Sequence, residues 1–178
     1  MRAEYENVLD DHLGKIHFTY VNTWDELLPA HWHEHLEIIY VLGGEITASI
    51  NDVSYELKKG DIFLVNSNDI HYTYTHEDAR YYLLQIPPVH LERISAKWKG
   101  LKFQELIRSK SADACVQGEQ LENVQGKGLV EMRENRKSTN RADDLYDQLR
   151  DVFRKIAGFY EEKKEGYHLL VLSAVYRL

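Results

Sequence analysis

Through its first half the chain alternates apolar and polar residues with period two, and in its last quarter the apolar positions recur every three to four residues. The first pattern predicts strands and the second helices. Residues 16–21 alternate and predict a first strand. Residues 36–42 are nearly all apolar and rich in β-branched and aromatic side chains, as in a strand buried on both faces. Ile46, Ala48 and Ile50, then Val53, Tyr55 and Leu57, flank the turn Asn51-Asp52 and predict a hairpin. Strands over 61–65 and 71–75 bracket the turn signal Asn66-Ser67-Asn68-Asp69. A further strand over 80–86 is closed by Pro87-Pro88.

From residue 89 the period changes. Leu91, Ile94 and Trp98, then Phe103, Leu106 and Ile107, predict short helices split by Gly100. Residues 109–128 are polar, with three glycines, and read as a surface loop, which the charged residues 131–141 continue. Residues 143–164 form an amphipathic helix with Leu145, Leu149, Val152, Phe153, Ile156 and Tyr160 on one stripe. Asn140 suits its N-cap, Lys163-Lys164 its last turn and Gly166 its C′ position. A second helix from Tyr167 is apolar nearly all round and must be covered on all sides. The sequence stops at Leu178 inside that helix, so the expectation is a longer native protein.

Candidate chemistry lies in His31-Trp32-His33-Glu34-His35-Leu36-Glu37. On one strand, residues 31, 33, 35 and 37 share a face, projecting three imidazoles and a carboxylate. Such groups on a buried strand need partners, which a pocket holding a metal, a small polar molecule or water supplies. Gln85 interrupts an apolar run. It reads equally as a pocket residue, beside Tyr81 and Leu83, and as an amide satisfied by backbone. Trp24 and Trp32 read as packing residues, Trp32 on the face opposite His31 and His33.

His31, His33, Glu37 and Gly44, followed by Gly60 and His71, resemble the paired motifs of the cupin fold. Asn66, Asn68 and Thr75 stand where the second motif has proline, glycine and asparagine, and Asp25 replaces a glycine ahead of the first. The run from His31 to Ile46, with residues 60–71, is similar to the N-terminal sensor domains of AraC-type bacterial transcription regulators. The resemblance implies a mainly β, cupin-like jelly-roll barrel over about residues 15–88. It also implies an N-terminal arm, 1–14, that closes over the pocket mouth, and a helical extension over 89–178. In catalytic cupins His31, His33, Glu37 and His71 would hold Zn, Ni, Fe or Mn. In sensors the same residues, with Tyr81 and Gln85, would line a pocket for a sugar or other small polar effector without any required cofactor. His35 falls outside the family ligand pattern.

Charge narrows the partners. Residues 1–90 carry 5 Lys/Arg and 15 Asp/Glu, hence −10, and residues 91–178 carry 17 and 14, hence +3. An acidic domain lacks the basic surface that phosphate contacts require, so this chain is not expected to bind DNA by itself. The resemblance implies that DNA contact is made through a separate C-terminal helix-turn-helix region. The lone cysteine, Cys115, cannot form an internal disulfide. There is no apolar leader and no run of 18 uncharged apolar residues, so a cytoplasmic protein without membrane contact is expected.

Three functions remain open. The first is an effector-binding and dimerising domain of a regulator, with the helix pair 143–178, through Leu149, Phe153, Leu172 and Val175, as the homodimer surface. The second is a metal-dependent cupin enzyme of dioxygenase or isomerase type. The third is a dimerisation module with a filled barrel. The helical extension and the degenerate second motif favour the first.

Overall fold

The computed structural model describes residues 3–8, 16–76, 78–108 and 140–177. The polar segment 109–128, the charged stretch up to residue 139 and Cys115 lie outside them. Among the described residues ten strands form two five-stranded sheets. They are β1 (Glu4–Tyr5), β2 (His17–Thr23), β3 (Glu26–Trp32), β4 (Leu36–Gly43), β5 (Glu45–Ile50), β6 (Val53–Lys58), β7 (Ile62–Val65), β8 (His71–Thr75), β9 (Ala79–Ile86) and β10 (Leu106–Ile107). One sheet runs β1-β3-β8-β5-β6 and the other β10-β7-β4-β9-β2. Sequence neighbours often lie in different sheets, which makes this a jelly roll rather than a meander.

The two sheets share an apolar interior. Ile39 and Val41 of β4, Ile46, Ala48 and Ile50 of β5, Leu57, and Phe63 and Val65 of β7 are buried together. The alternate residues of β4 and β7, Leu36, Ile38, Tyr40, Ile62 and Leu64, face outward and are also buried. The helices cover them. Helix α2 (Asn140–Glu162) lays Tyr146, Leu149, Val152, Phe153, Ile156 and Ala157 on that face. The Phe153 ring meets Tyr40 at 5.6 Å between centroids. This is why residues 36–42 are apolar on both faces apart from Glu37.

Several expectations need correction. Residues 31–42 do not form one strand: β3 ends at Trp32, the chain turns through 33–35, and β4 begins at Leu36 in the opposite sheet. Leu106 and Ile107 pair with Phe63 and Ile62 as an edge strand and are not helical. The segment before them holds only helix α1 (Pro88–Ile94) and a 3-10 turn, Trp98–Gly100. Leu145 is exposed, and Tyr146 takes its place on the buried stripe, its hydroxyl donating to the Gly60 carbonyl at 2.9 Å. Helix α2 ends at Glu162, with Lys163 left-handed at φ 42°, while Gly166 (φ 79°) opens helix α3 (Tyr167–Val175) instead of closing α2. Trp24 is exposed, whereas Trp32 packs edge-on against Tyr5 of the arm.

The helix-pair surface is corrected in the same way. Leu149, Phe153 and Val175 are buried in this chain's own core, and Leu172 packs against that core. A side chain spent inside the protomer cannot also face a second copy. The large apolar groups left outward on α3 are Leu169 and Leu170, so among the described residues the helix is covered on one side only.

The departures from the cupin motifs have local reasons. Asp25 (φ 50°) and Asn68 (φ 65°) take the left-handed backbone where glycine is expected, and Asp and Asn tolerate it better than other side chains. Gly44 has φ 72°, and a Cβ there would lie 2.5 Å from the Asp78 carbonyl oxygen, so the motif glycine is required. Asn66, in the place of proline, clamps the backbone of Phe103 by two hydrogen bonds of 2.8 and 3.2 Å. Among the described residues no helix is long and apolar enough to cross a membrane.

Candidate functional site

Four strands and one corner assemble the polar cluster. On one sheet His31 of β3 stands directly opposite His71 of β8. On the facing sheet Glu37 of β4 stands opposite Gln85 of β9. His33 lies in the corner that carries the chain from one sheet to the other. A bulge in β3 between Leu28 and His31, at Pro29, brings His31 into register with His71. Bulges commonly re-aim side chains in this way, and proline is tolerated there because it has no amide to give the ladder. The corner is pinned by the Asn68 amide, which donates to the His33 carbonyl at 2.9 Å.

All four candidate ligands are at least nine-tenths buried. Their ligating atoms lie within 4.8 Å of one another. Each imidazole places Nδ1 on a backbone carbonyl: His31 on Pro29 at 2.8 Å, His33 on His35 at 3.1 Å, His71 on Asp69 at 3.0 Å. A carbonyl oxygen only accepts, so each Nδ1 carries the hydrogen. That fixes the tautomer and leaves three Nε2 lone pairs converging on one point.

The carboxylate faces the same point. Glu37 Oε2 accepts from Gln85 Nε2 at 2.9 Å and lies 3.0 Å from His33 Nε2 and 3.8 Å from His71 Nε2. Burial alone would raise the Glu37 carboxyl, but the hydrogen bond to His33 and the nearby imidazoles of His33 and His71 hold it well below the usual carboxylate range. Burial lowers His71, and the neighbouring Glu37 carboxylate outweighs it and raises the imidazole. Burial and the neighbouring His71 lower His31.

A divalent cation fits these residues. His31 Nε2 and His71 Nε2 are buried without a hydrogen-bond partner. With Nδ1 already protonated, the 3.0 Å approach of His33 Nε2 to a carboxylate oxygen calls for a second proton or a cation. His31, His33, Glu37 and His71 would hold the ion. When bound, it would supply Lewis-acid coordination for hydroxyl or carboxylate oxygens of a ligand. Two cavities reach the cluster. One of about 410 Å³ lies between the arm and Leu28–Ala30 and opens on Glu6 and His31. The other, about 600 Å³, touches His71 beside Ala30 and Ile70.

Of the residues singled out from sequence, His31, His33, Glu37, His71 and Gln85 meet. Gln85 is held by side chains rather than backbone. Tyr81 lies on the same face of β9, among the interior apolar residues. Burial, then the charges of Glu37 and Glu26, push its hydroxyl up to about 12. His35 is half-buried, its ring perpendicular to that of His33 and outside the ligand set. Sequence reasoning missed Glu6. Strand β1 pairs parallel with β3, and Glu6 Oε2 accepts from Gln85 Nε2 at 3.3 Å, 3.7 Å from His31 Nε2 and 3.8 Å from His33 Nε2. Nothing in the arm's sequence distinguishes Glu6 from Glu4, because a parallel pairing to a distant strand leaves no local signal.

A two-sheet jelly roll with three histidines and a glutamate converging at one end of its interior defines a cupin. Within that class, the chain belongs to the AraC-like ligand binding domain family, whose model matches residues 14–178. No curated protein sequence matches. Solved structures that resemble it include a conserved protein of unknown function from Streptococcus pyogenes (16% identity, 41% of this chain, 65% of that chain, TM-score 0.40). An RmlC-like cupin from Shewanella frigidimarina shares 20% identity over 44% of this chain and 69% of its own, with TM-score 0.40. Bacillus subtilis oxalate decarboxylase shares 20% over 40% of this chain and 21% of its own, with TM-score 0.38. The chain therefore spans less than two thirds of the first and about a fifth of the last.

Proposed function

We propose that this chain is the effector-sensing domain of an AraC-type transcription regulator, taking a small polar molecule such as a sugar into the mouth of the barrel. The family match over 165 residues carries the reading, and the buried imidazole, carboxylate and amide groups supply its chemistry. Paired donors and acceptors suit hydroxyl groups, and apolar walls exclude water around them. DNA contact is assigned to a helix-turn-helix region distinct from this domain. Homodimerisation, which the resemblance implies, is assigned to the outward face of α3 at Leu169 and Leu170 in place of the buried stripe.

The complete ligand set and the two orphaned Nε2 atoms support a second reading, a metal-dependent cupin enzyme. One experiment separates the two. The protein is titrated calorimetrically with a panel of sugars and sugar acids, with Zn²⁺ or with EDTA, and any bound compound is recovered and weighed by mass spectrometry. A sensor returns its ligand unchanged, and His71→Ala and Gln85→Ala weaken binding. Turnover of the recovered compound would establish the enzyme. Binding indifferent to both substitutions would remove the cluster from the ligand site.

A further inference from the structure

The arm adds a second acid to the cluster, and the balance of charge gives that a consequence. Glu37 and Glu6 place two carboxylates against three imidazoles, and among the described residues no lysine or arginine pairs with either. Both acids turn an oxygen to His33 Nε2, Glu37 at 3.0 Å and Glu6 at 3.8 Å, while Glu37 also lies 3.8 Å from His71 Nε2 and Glu6 3.7 Å from His31 Nε2. Gln85 spans them, its amide donating to Glu37 at 2.9 Å and to Glu6 at 3.3 Å. Two buried or half-buried negative charges held side by side repel strongly unless a cation lies between them. A dication on the three lone pairs neutralises both.

We infer that Glu6 is a fifth donor of this centre, so that docking of the N-terminal arm and divalent-cation binding are one linked equilibrium. The inference rests on the metal-capable reading of the cluster.

The arm is built for such linkage. Strand β1 has only two residues, and beyond that ladder the arm is held by the Glu6 amide on the Trp32 carbonyl (2.9 Å) and the Tyr5–Trp32 ring contact. So short a strand is marginal by itself. Glu6 keeps 39% of its side chain exposed, so it closes the mouth of the cluster without being locked inside it. Linkage is reciprocal: whatever factor the docked arm adds to cation affinity, the cation adds to arm docking.

The test uses the full chain and Zn²⁺ alone, with affinity read by competition against a chromophoric chelator and the arm by hydrogen exchange at the Tyr5 and Glu6 amides. Glu6→Gln removes the charge but keeps the shape, and Glu34→Gln removes an equal charge from an exposed neighbour of His33. Wild type and Glu34→Gln are expected to bind Zn²⁺ alike, with Glu6→Gln weaker by at least about tenfold. Zn²⁺ should slow arm exchange in wild type by that same factor and leave it unchanged in Glu6→Gln. Equal Zn²⁺ affinity in wild type and Glu6→Gln would overturn the inference while the four-residue centre stands. Failure of wild type to take up Zn²⁺ at all would overturn both.

Discussion

Phe153 decides whether the long helix belongs to this protomer's core or to a contact between protomers. Its side chain is 0% exposed and meets the Tyr40 ring on the outer face of β4. Phe153→Ala removes a whole aromatic ring from a packed site, which costs about 3–5 kcal/mol in transfer and cavity terms. The lost pairing with Tyr40 lies within that range and places the expectation near its middle, about 4 kcal/mol. With a urea slope of about 2 kcal/mol/M, the unfolding midpoint should fall by roughly 2 M. The assay is urea unfolding followed by far-UV circular dichroism at two protein concentrations a hundredfold apart. A core residue loses the same free energy at both. An interface residue would lose less in the dilute sample, where the wild type has already given up its partner, by up to about 2.7 kcal/mol. A loss below about 1 kcal/mol, or one that shrinks on dilution, refutes the packing argued for α2.

Glu37→Gln in EDTA should cost about 2–4 kcal/mol at pH 7, because His33 and Gln85 exchange a charged acceptor for a neutral one inside the barrel. The depressed Glu37 carboxyl stabilises the fold above the ordinary glutamate range and loses that contribution as pH falls through its folded value. The acid limb of a pH–stability curve should therefore flatten in this variant, and an unchanged limb would count against the cluster's electrostatics. Tyr81, raised to about 12, works at the other end: its neutral form is favoured on folding, so stability is intact below about 10 and declines towards 12. Tyr81→Phe should remove that alkaline decline, as followed by thermal melts between pH 9 and 12. Asn66→Ala should cost about 1–3 kcal/mol and free residues 98–103 to exchange, since both hydrogen bonds to Phe103 go with the amide. Leu169→Glu with Leu170→Glu should leave the melting temperature nearly unchanged and abolish self-association in sedimentation; a dimer that persists would move the interface elsewhere.

Local pattern was enough for β2 and for the strands from β4 to β9, though not for β3, because alternation, turn residues and the apolar run at 36–42 are direct imprints of half-buried and fully buried sheet. The same holds for the helices near 140–162 and 167–175. The membership of His31, His33, Glu37 and His71 in one site was also legible, through motif spacing. Their geometry was not: period two suggested a single strand, whereas the histidines and the acid converge because the chain changes sheets at 33–35 and the two sheets face each other.

What only the tertiary structure decided depends on contacts between distant segments, which leave no local periodicity. The stripe of α2 is amphipathic whether it meets a sheet of its own chain or another copy, and only the outward residues of β4 and β7 choose the former. Leu106 and Ile107 are extended because an open sheet edge at β7 pairs with them. Glu6 reaches the histidines because a two-residue ladder carries the arm to β3, some 25 residues on in the chain. Composition names the groups that can meet, and the crossing of the chain between its two sheets selects which of them do.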